Sequence, residues 1–237
     1  MHTRIFITGM GTCREAPAHI ETSKAVKTVI KAEELALAAL SAALRQIRNL
    51  ELDAGIVFGI DNAIDRCKAE FFKGLLAEGT IGASPLLFPY TSHNVITAQA
   101  TIAFGIKGED ITIASGASSF LKAVGYGFEL LHRGVMNAVI AGGASENGAM
   151  VIIMESLTPD EAQKKKEEGV CLREVIGYNN TLLQACPCRL EAGDEAKIKT
   201  IEGSFSMVED FLEGRNKLVT AEWIFQVIFC PRHMVTP

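Results

Sequence analysis

The stretch ITIASGASSFLKAVGYGFELLHRG at 111–134, followed by NAVIAGG at 137–143, constrains this chain more than any other. It reads as a buried strand, a tight turn of small residues, a long helix over about 118–133, and a second buried strand. Short apolar runs of this kind separated by helical periodicity are the mark of a sheet with helices packed on its faces. The pattern repeats on either side. Apolar runs at 4–11 (RIFITGMG), 54–60 (AGIVFGI), 149–156 (AMVIIMES) and 171–178 (CLREVIGY) read as further strands, and 23–47, 63–79 and the segment from about Ser92 to Gly105 as helices. The polar segment 158–169 carries Thr158 as N-cap, Pro159 at the first helical position and Glu161 to complete a capping box. Strands alternating with helices predict a largely parallel α/β sheet. In the segment 63–79, Ile64, Cys67, Phe71 and Leu75, with Phe72 and Leu76, fall on one helix face. Residues 206–214 and 220–229 fit either helix or strand.

Several chemistries are disfavoured. The net charge is −5 and the basic run Lys164–Lys166 stands alone, so neither nucleic acid nor an anionic membrane surface is an expected partner. No apolar run reaches the roughly 20 residues of a membrane-spanning helix. The apolar stretch at the N-terminus is too short for a signal peptide, so a cytoplasmic protein with six reduced cysteines is expected. Cys186 and Cys188 form a CPC triplet whose only further metal-ligand candidates, Cys230 and His233, lie far downstream; small apolar cysteines are the plainer reading, and no metal or cofactor is expected. After the first strand, Gly9 and Gly11 lack the third glycine of a dinucleotide fingerprint: Arg14 stands there and Pro17 follows, so a glycine turn leaving the sheet is expected. AGGASENG at 141–148 reads as a tight strand connection, and no GxSxG nucleophile pattern occurs.

The turn at 115–119 is a strand-to-helix elbow, a usual mount for a nucleophile, yet it holds Ser115, Gly116, Ala117, Ser118 and Ser119. A serine needs a base to become nucleophilic, and N-capping is the simpler role for these hydroxyls.

RIFITGMG, FPYTSHNVITAQATIAFGIKG, ITIASGASS, HRGVMNAVIAGGASE and CLREVIGY, in this order and spacing, resemble the N-terminal half of a β-ketoacyl synthase, of the thiolase fold, over roughly residues 3–178. In that family the nucleophilic cysteine sits in a Thr-Ala-Cys-x-Ser segment. Counting without gaps forward from Gly108 or back from Gly134 reaches one alignment, in which Ser115 matches the threonine, Gly116 the alanine and Ala117 the cysteine. Family members also make a long excursion after the Gly-Gly strand, where this chain passes from Gly143 to Ala149 in a few residues, and active members carry two histidines in a second thiolase-like half. Of His2, His19, His93, His132 and His233, only the last lies beyond the N-terminal half.

The resemblance therefore implies a truncated, ketosynthase-like chain-length factor of a type II polyketide synthase, aromatic or polyene. The expected organisation is a β-ketoacyl synthase N-terminal-like domain over 1–180 and a divergent extension over 181–237, with no recognisable second half. The implied partners are a full-length catalytic ketosynthase, in a heterodimer, and an acyl carrier protein bearing the growing polyketide. In such dimers the strand near 110–115 pairs with its mate across the two-fold axis. Asn62 and Arg66 are implied in the acyl-tunnel wall, and Leu87, Phe88 and Thr91 as reaching towards the partner, with local core packing the alternative for Leu87 and Phe88; Ser115 belongs to the same tunnel and interface set, and Gly116 and Ala117 keep helix and strand closely packed. Chain-length factors usually have glutamine at the cysteine position; the alanine here departs from that and puts priming decarboxylation in question. The rival readings are an acyltransferase or thioester hydrolase using Ser115 or Ser118, and a purely structural stabiliser of the ketosynthase.

Overall fold

The computed structural model describes residues 3–24, 30–47, 54–178, 199–213, 217–219 and 224–229. Its elements run β1 (Arg4–Cys13), α1 (Lys31–Leu44), β2 (Gly55–Ile60), α2 (Asp65–Glu78), α3 (Val95–Phe104), β3 (Asp110–Ala114), α4 (Ser119–His132), β4 (Ala138–Ala144), β5 (Ala149–Leu157), α5 (Pro159–Glu167), β6 (Arg173–Tyr178), α6 (Ile201–Glu213), β7 (Lys217–Val219) and β8 (Ile224–Phe229). Short 3-10 turns lie at Gly79–Ile81 after α2, at Phe88–Thr91 before α3 and at Gly116–Ser118 before α4.

One eight-stranded sheet, in the order β3-β2-β4-β5-β1-β6-β8-β7, organises these elements. Alternate residues of each central strand point to opposite faces. Ile56, Phe58, Ile140, Val151 and Ile153 meet α1 and α3 on one face. Val57, Val139, Ala141, Ile152 and Met154 meet α4 and α6 on the other. Burying each of these side chains other than Ala141 contributes about 1.5–3 kcal/mol, so both helical layers are held mainly by the central strands.

A sheet with helices on both faces matches the expectation; the largely parallel sheet does not. Parallel pairing is confined to β3-β2-β4. The pairs β4–β5, β5–β1, β1–β6, β6–β8 and β8–β7 are antiparallel. For β4 and β5 the cause is the short link at 145–148. A parallel connection needs a crossover of about a dozen residues or more, whereas here the Ser145 N–H donates to the Gly148 carbonyl and closes a hairpin.

The glycines of the first strand also differ from expectation. They do not form a turn; β1 runs on through Gly9 and Gly11 to Cys13 and pairs with β5 along its length. Their smallness serves packing: a Cβ on Gly9 would stand 2.7 Å from the Ala43 carbonyl oxygen, and one on Gly11 2.0 Å from that of Ala39. Helix α1 therefore lies directly on the strand. It begins at Lys31 rather than near residue 23, and the Ser23 and Lys24 N–H groups are bonded instead to the Ala103 carbonyl at the end of α3. The C-terminal stretch that fits helix or strand divides into the helix α6 and the strands β7 and β8.

Candidate functional site

The elbow is built where β3 ends. Ser115 has backbone angles of φ −140° and ψ 33°, Gly116 turns left-handed at φ +61°, and α4 starts at Ser119. Ser119 is fully buried and ties the turn together: it accepts from the Ser115 N–H at 2.7 Å, and its hydroxyl lies 2.7 Å from the Gly116 carbonyl and 3.1 Å from that of Ile60. Gly59 on β2 makes room, since a Cβ there would meet the Ser119 carbonyl carbon at 2.2 Å. On the far side, α6 covers the turn. The Ser204 hydroxyl donates to the Ala117 carbonyl at 3.5 Å, Phe205 packs edge-on against Phe120 with ring centres 4.9 Å apart, and Glu209 pairs with Arg14 at 2.6 Å.

At the tip of this frame Ala117 is half-buried and offers a methyl group. The hydroxyls beside it are organised by Lys122, a residue that no sequence motif marks. Lys122 Nζ donates to Ser115 Oγ at 2.6 Å; Ser118 Oγ lies 3.5 Å from Ser115 Oγ and donates to the Ser115 carbonyl at 3.0 Å. The available signal is a seven-residue spacing, two helical turns, but only the elbow's geometry brings residue 115 onto that face of α4. Neither Cys13 nor Cys67 substitutes as an activated thiol. Burial pushes both thiols up, with Glu70 adding to the effect at Cys67, and a reactive cysteine needs the opposite shift. The CPC triplet, Cys230 and His233 lie outside the described residues, and no cluster of metal-ligating side chains occurs among the described ones.

The other candidate residues lie on an arm made of α2 and the turns up to Thr91. Arg66 and Leu87 line one cavity of about 430 Å³, together with Ile30, Lys31, Cys67 and Glu70 among others. Asn62 stands at the arm's root with φ 46° and is exposed; Thr91 donates to the Phe88 carbonyl at 2.7 Å. Neither they nor Phe88 line the cavity. Leu87 packs partly against the core, whereas Phe88 is 64% exposed, its ring centre 6.0 Å from that of Phe71. The apolar face of α2 and the turns after it are only partly covered. Ile64 and Cys67 are buried, Phe71 and Leu75 are half-buried, and Phe72, Leu76, Ile81 and Leu86 are exposed. Next to the root, burial raises the Asp61 carboxyl, and the nearby Glu202 and Asp65 carboxylates push it further the same way. No described helix is long and apolar enough to cross a membrane.

A mixed sheet between two helical layers, with a strand–turn–helix elbow at its β3 end, fits the thiolase-like fold that the sequence resemblance implied. Within it, residues 74–155 match the family model of the beta-ketoacyl synthase N-terminal domain, a span that holds the elbow, α4 and the β4–β5 hairpin. Solved structures of ketosynthases and chain length factors are among its relatives in fold. The chain is similar to the ketosynthase ApeO in complex with its chain length factor ApeC from Xenorhabdus doucetiae (13% identity, TM-score 0.60, covering 94% of this chain and 98% of that one). It is similar to the ishigamide ketosynthase/chain length factor (14%, 0.60, 75% of this chain and 63% of that one). A third likeness is to a structure of a type II polyketide synthase acyl carrier protein in complex with its ketosynthase bound to the hexaketide, AntDE:AntF (15%, 0.59, 75% and 68%). At these identities the likeness is one of fold.

Proposed function

We propose that this chain is the chain-length-determining partner subunit of a heterodimeric ketosynthase in type II polyketide biosynthesis, aromatic or polyene. It works with a full-length catalytic ketosynthase and an acyl carrier protein and performs no condensation itself. The observation that carries the reading is Ala117: the elbow is fully assembled around it, and the group it presents is a methyl. A condensing enzyme without its nucleophile loses nearly all activity, because such groups act as a unit.

Two features support a partner. β3 is an edge of the sheet, paired with β2 alone among the described residues, and its residues are half-buried or exposed. An uncovered strand edge invites pairing with another chain. The arm adds an apolar surface, with Leu76, Ile81 and Leu86 each more than 80% exposed, of a kind that commonly marks a protein–protein contact. Asn62 and Arg66 would wall the acyl tunnel, Leu87, Phe88 and Thr91 would reach towards the partner, and bulk there would limit chain growth at about 1–3 kcal/mol per steric misfit.

Co-expression with a cognate ketosynthase is expected to give a stable 1:1 complex by size-exclusion chromatography, and Leu87→Ala or Phe88→Ala to lengthen the product by mass spectrometry. A chain that stays apart from the ketosynthase refutes the reading. Complex formation with unchanged product length in both variants would instead favour the purely structural stabiliser.

A further inference from the structure

Two glycines on the arm have no backbone reason to be glycine. Gly74 lies inside α2, where helix propensity favours alanine. Gly82 follows the turn after α2 with φ −78° and ψ −7°, angles open to any residue. What each excludes is a side chain facing the other. A Cβ on Gly74 would stand 2.4 Å from the Gly82 carbonyl oxygen, and one on Gly82 2.1 Å from that of Gly74. Both obstacles are backbone atoms, which no rotamer change moves aside. The chain reverses at Gly79–Ile81, and its return limb from Gly82 to Thr91 lies back against α2. The limb meets the helix again at Phe88, whose ring centre is 6.0 Å from that of Phe71. Beside it, Leu87 lines the cavity of about 430 Å³ together with Arg66, Cys67 and Glu70 of α2.

We propose that Gly74 and Gly82 form a clasp that sets the distance between α2 and the return limb, and through it the width of the cavity at the arm's base. They are positioning residues, acting through Leu87 and touching no substrate. This role rests on the chain-length reading above, under which Arg66 walls the tunnel and bulk at Leu87 limits chain growth. The clasp works as a lever. Alanine at Gly74 has to open its contact with the Gly82 oxygen from 2.4 Å to at least 3.0 Å, the closest approach real Cβ atoms make. The limb then parts from the helix, Leu87 moves away from Arg66, and the cavity widens. The sheet and its helical layers are spared, because the atoms nearest either added Cβ belong to the other glycine and to Glu78.

The test uses Gly74→Ala and Gly82→Ala in the full chain, with Ala77→Ser, at an exposed position of the same helix, as control. In the isolated chain, amide hydrogen exchange is followed by mass spectrometry for the segment holding the Leu87, Phe88 and Tyr90 N–H groups, which are bonded within the limb. Each alanine is expected to speed that exchange roughly tenfold or more and to leave β4 and β5 unchanged; Ala77→Ser alters neither. In the pair co-expressed with a ketosynthase, both glycine variants are expected to keep the 1:1 complex and to shift the product towards longer chains by mass spectrometry. A merely structural contact would change the yield of complex and not the length of the product. Unchanged or slower exchange in both variants, as helix propensity alone gives at Gly74, overturns the clasp. Faster exchange with unaltered product length overturns its part in specificity. If one variant does not fold, the other, on the far side of the same contact, decides. If the wild-type chain forms no complex, the chain-length reading is what fails, and the exchange measurement still decides the clasp.

Discussion

Gly59 and Gly116 both serve the elbow, for opposite reasons. At Gly59 the backbone is ordinary and the space is taken: a Cβ there would fall 2.2 Å from the Ser119 carbonyl carbon. At Gly116 the space is open and the backbone is left-handed, at φ +61°. The two alanine substitutions should therefore separate in size. Gly59→Ala must push α4 off the sheet and is expected to cost about 3 kcal/mol or more. Gly116→Ala meets only backbone strain, about 1–2 kcal/mol. Urea unfolding of both variants checks the order; equal costs would mean that the turn, and not the helix seat, limits the elbow. The elbow itself is legible in the sequence, because small residues between an apolar run and an amphipathic helix have few other uses. Lys122 is not, since its meaning depends on the turn placing Ser115 Oγ beside its amine. Nor is the reason why Gly9 and Gly11 are glycines, since the atoms that exclude a side chain there belong to Ala43 and Ala39 of another element.

Among the elements, α5 is the most legible and has the simplest energetics. Thr158 accepts from the Glu161 N–H, Glu161 accepts from the Thr158 N–H, and Pro159 needs no donor at its position. Acidic residues sit in its first turn and Lys164–Lys166 in its last, as the helix dipole favours. The helix is also anchored by an ion pair in which Lys165 reaches both oxygens of Glu155 on β5, at 2.9 and 3.1 Å. Thr158→Ala should cost about 1 kcal/mol, read from the urea midpoint. The Thr158 backbone and side-chain hydrogen bonds hold the Glu161 carboxyl below the usual range. A depressed carboxyl contributes stability that is complete above the ordinary glutamate value near 4.3 and is lost as pH falls through its lower folded value. The difference in stability between wild type and Glu161→Gln should accordingly be present at pH 6 and vanish in strong acid; a difference independent of pH would remove the charge from the account. Helix α2 shows the limit of periodicity. Its apolar stripe can be read from spacing, but a stripe does not say what covers it, and of this one Ile64 and Cys67 are buried while Phe72 and Leu76 are exposed.

For the molecule as a whole, the arm follows β2 in the chain and β3 is that strand's neighbour, at the opposite end of the strand order from β7 and β8. Leu76 and Ile81 are 84% and 91% exposed, so replacing both with glutamate should change stability by no more than about 0.5 kcal/mol each. The same change is expected to reduce self-association of the isolated chain by light scattering and to weaken capture by a ketosynthase. A large loss of stability instead would mean that the arm is part of the fold's own core. The sheet's mixed character escapes sequence reading for a reason of the same scale. Alternating strands and helices suggest parallel neighbours, whereas direction in the sheet is decided by which connections are too short to cross over, and the one at 145–148 is.

The place of β1 in that order has a consequence for how the chain is made. Its partners are β5 and β6, so that Ile7 pairs with Met154 and Ile5 with Val175. A ribosome delivers this apolar strand more than a hundred residues before either of its neighbours. Until the hairpin emerges, β1 has α1 to lean on but no ladder to join. Long-range pairing of this kind slows folding and prolongs the interval in which a strand is open to the wrong company, so a holding chaperone at the exit tunnel would be of most use to this polypeptide before residue 149 appears.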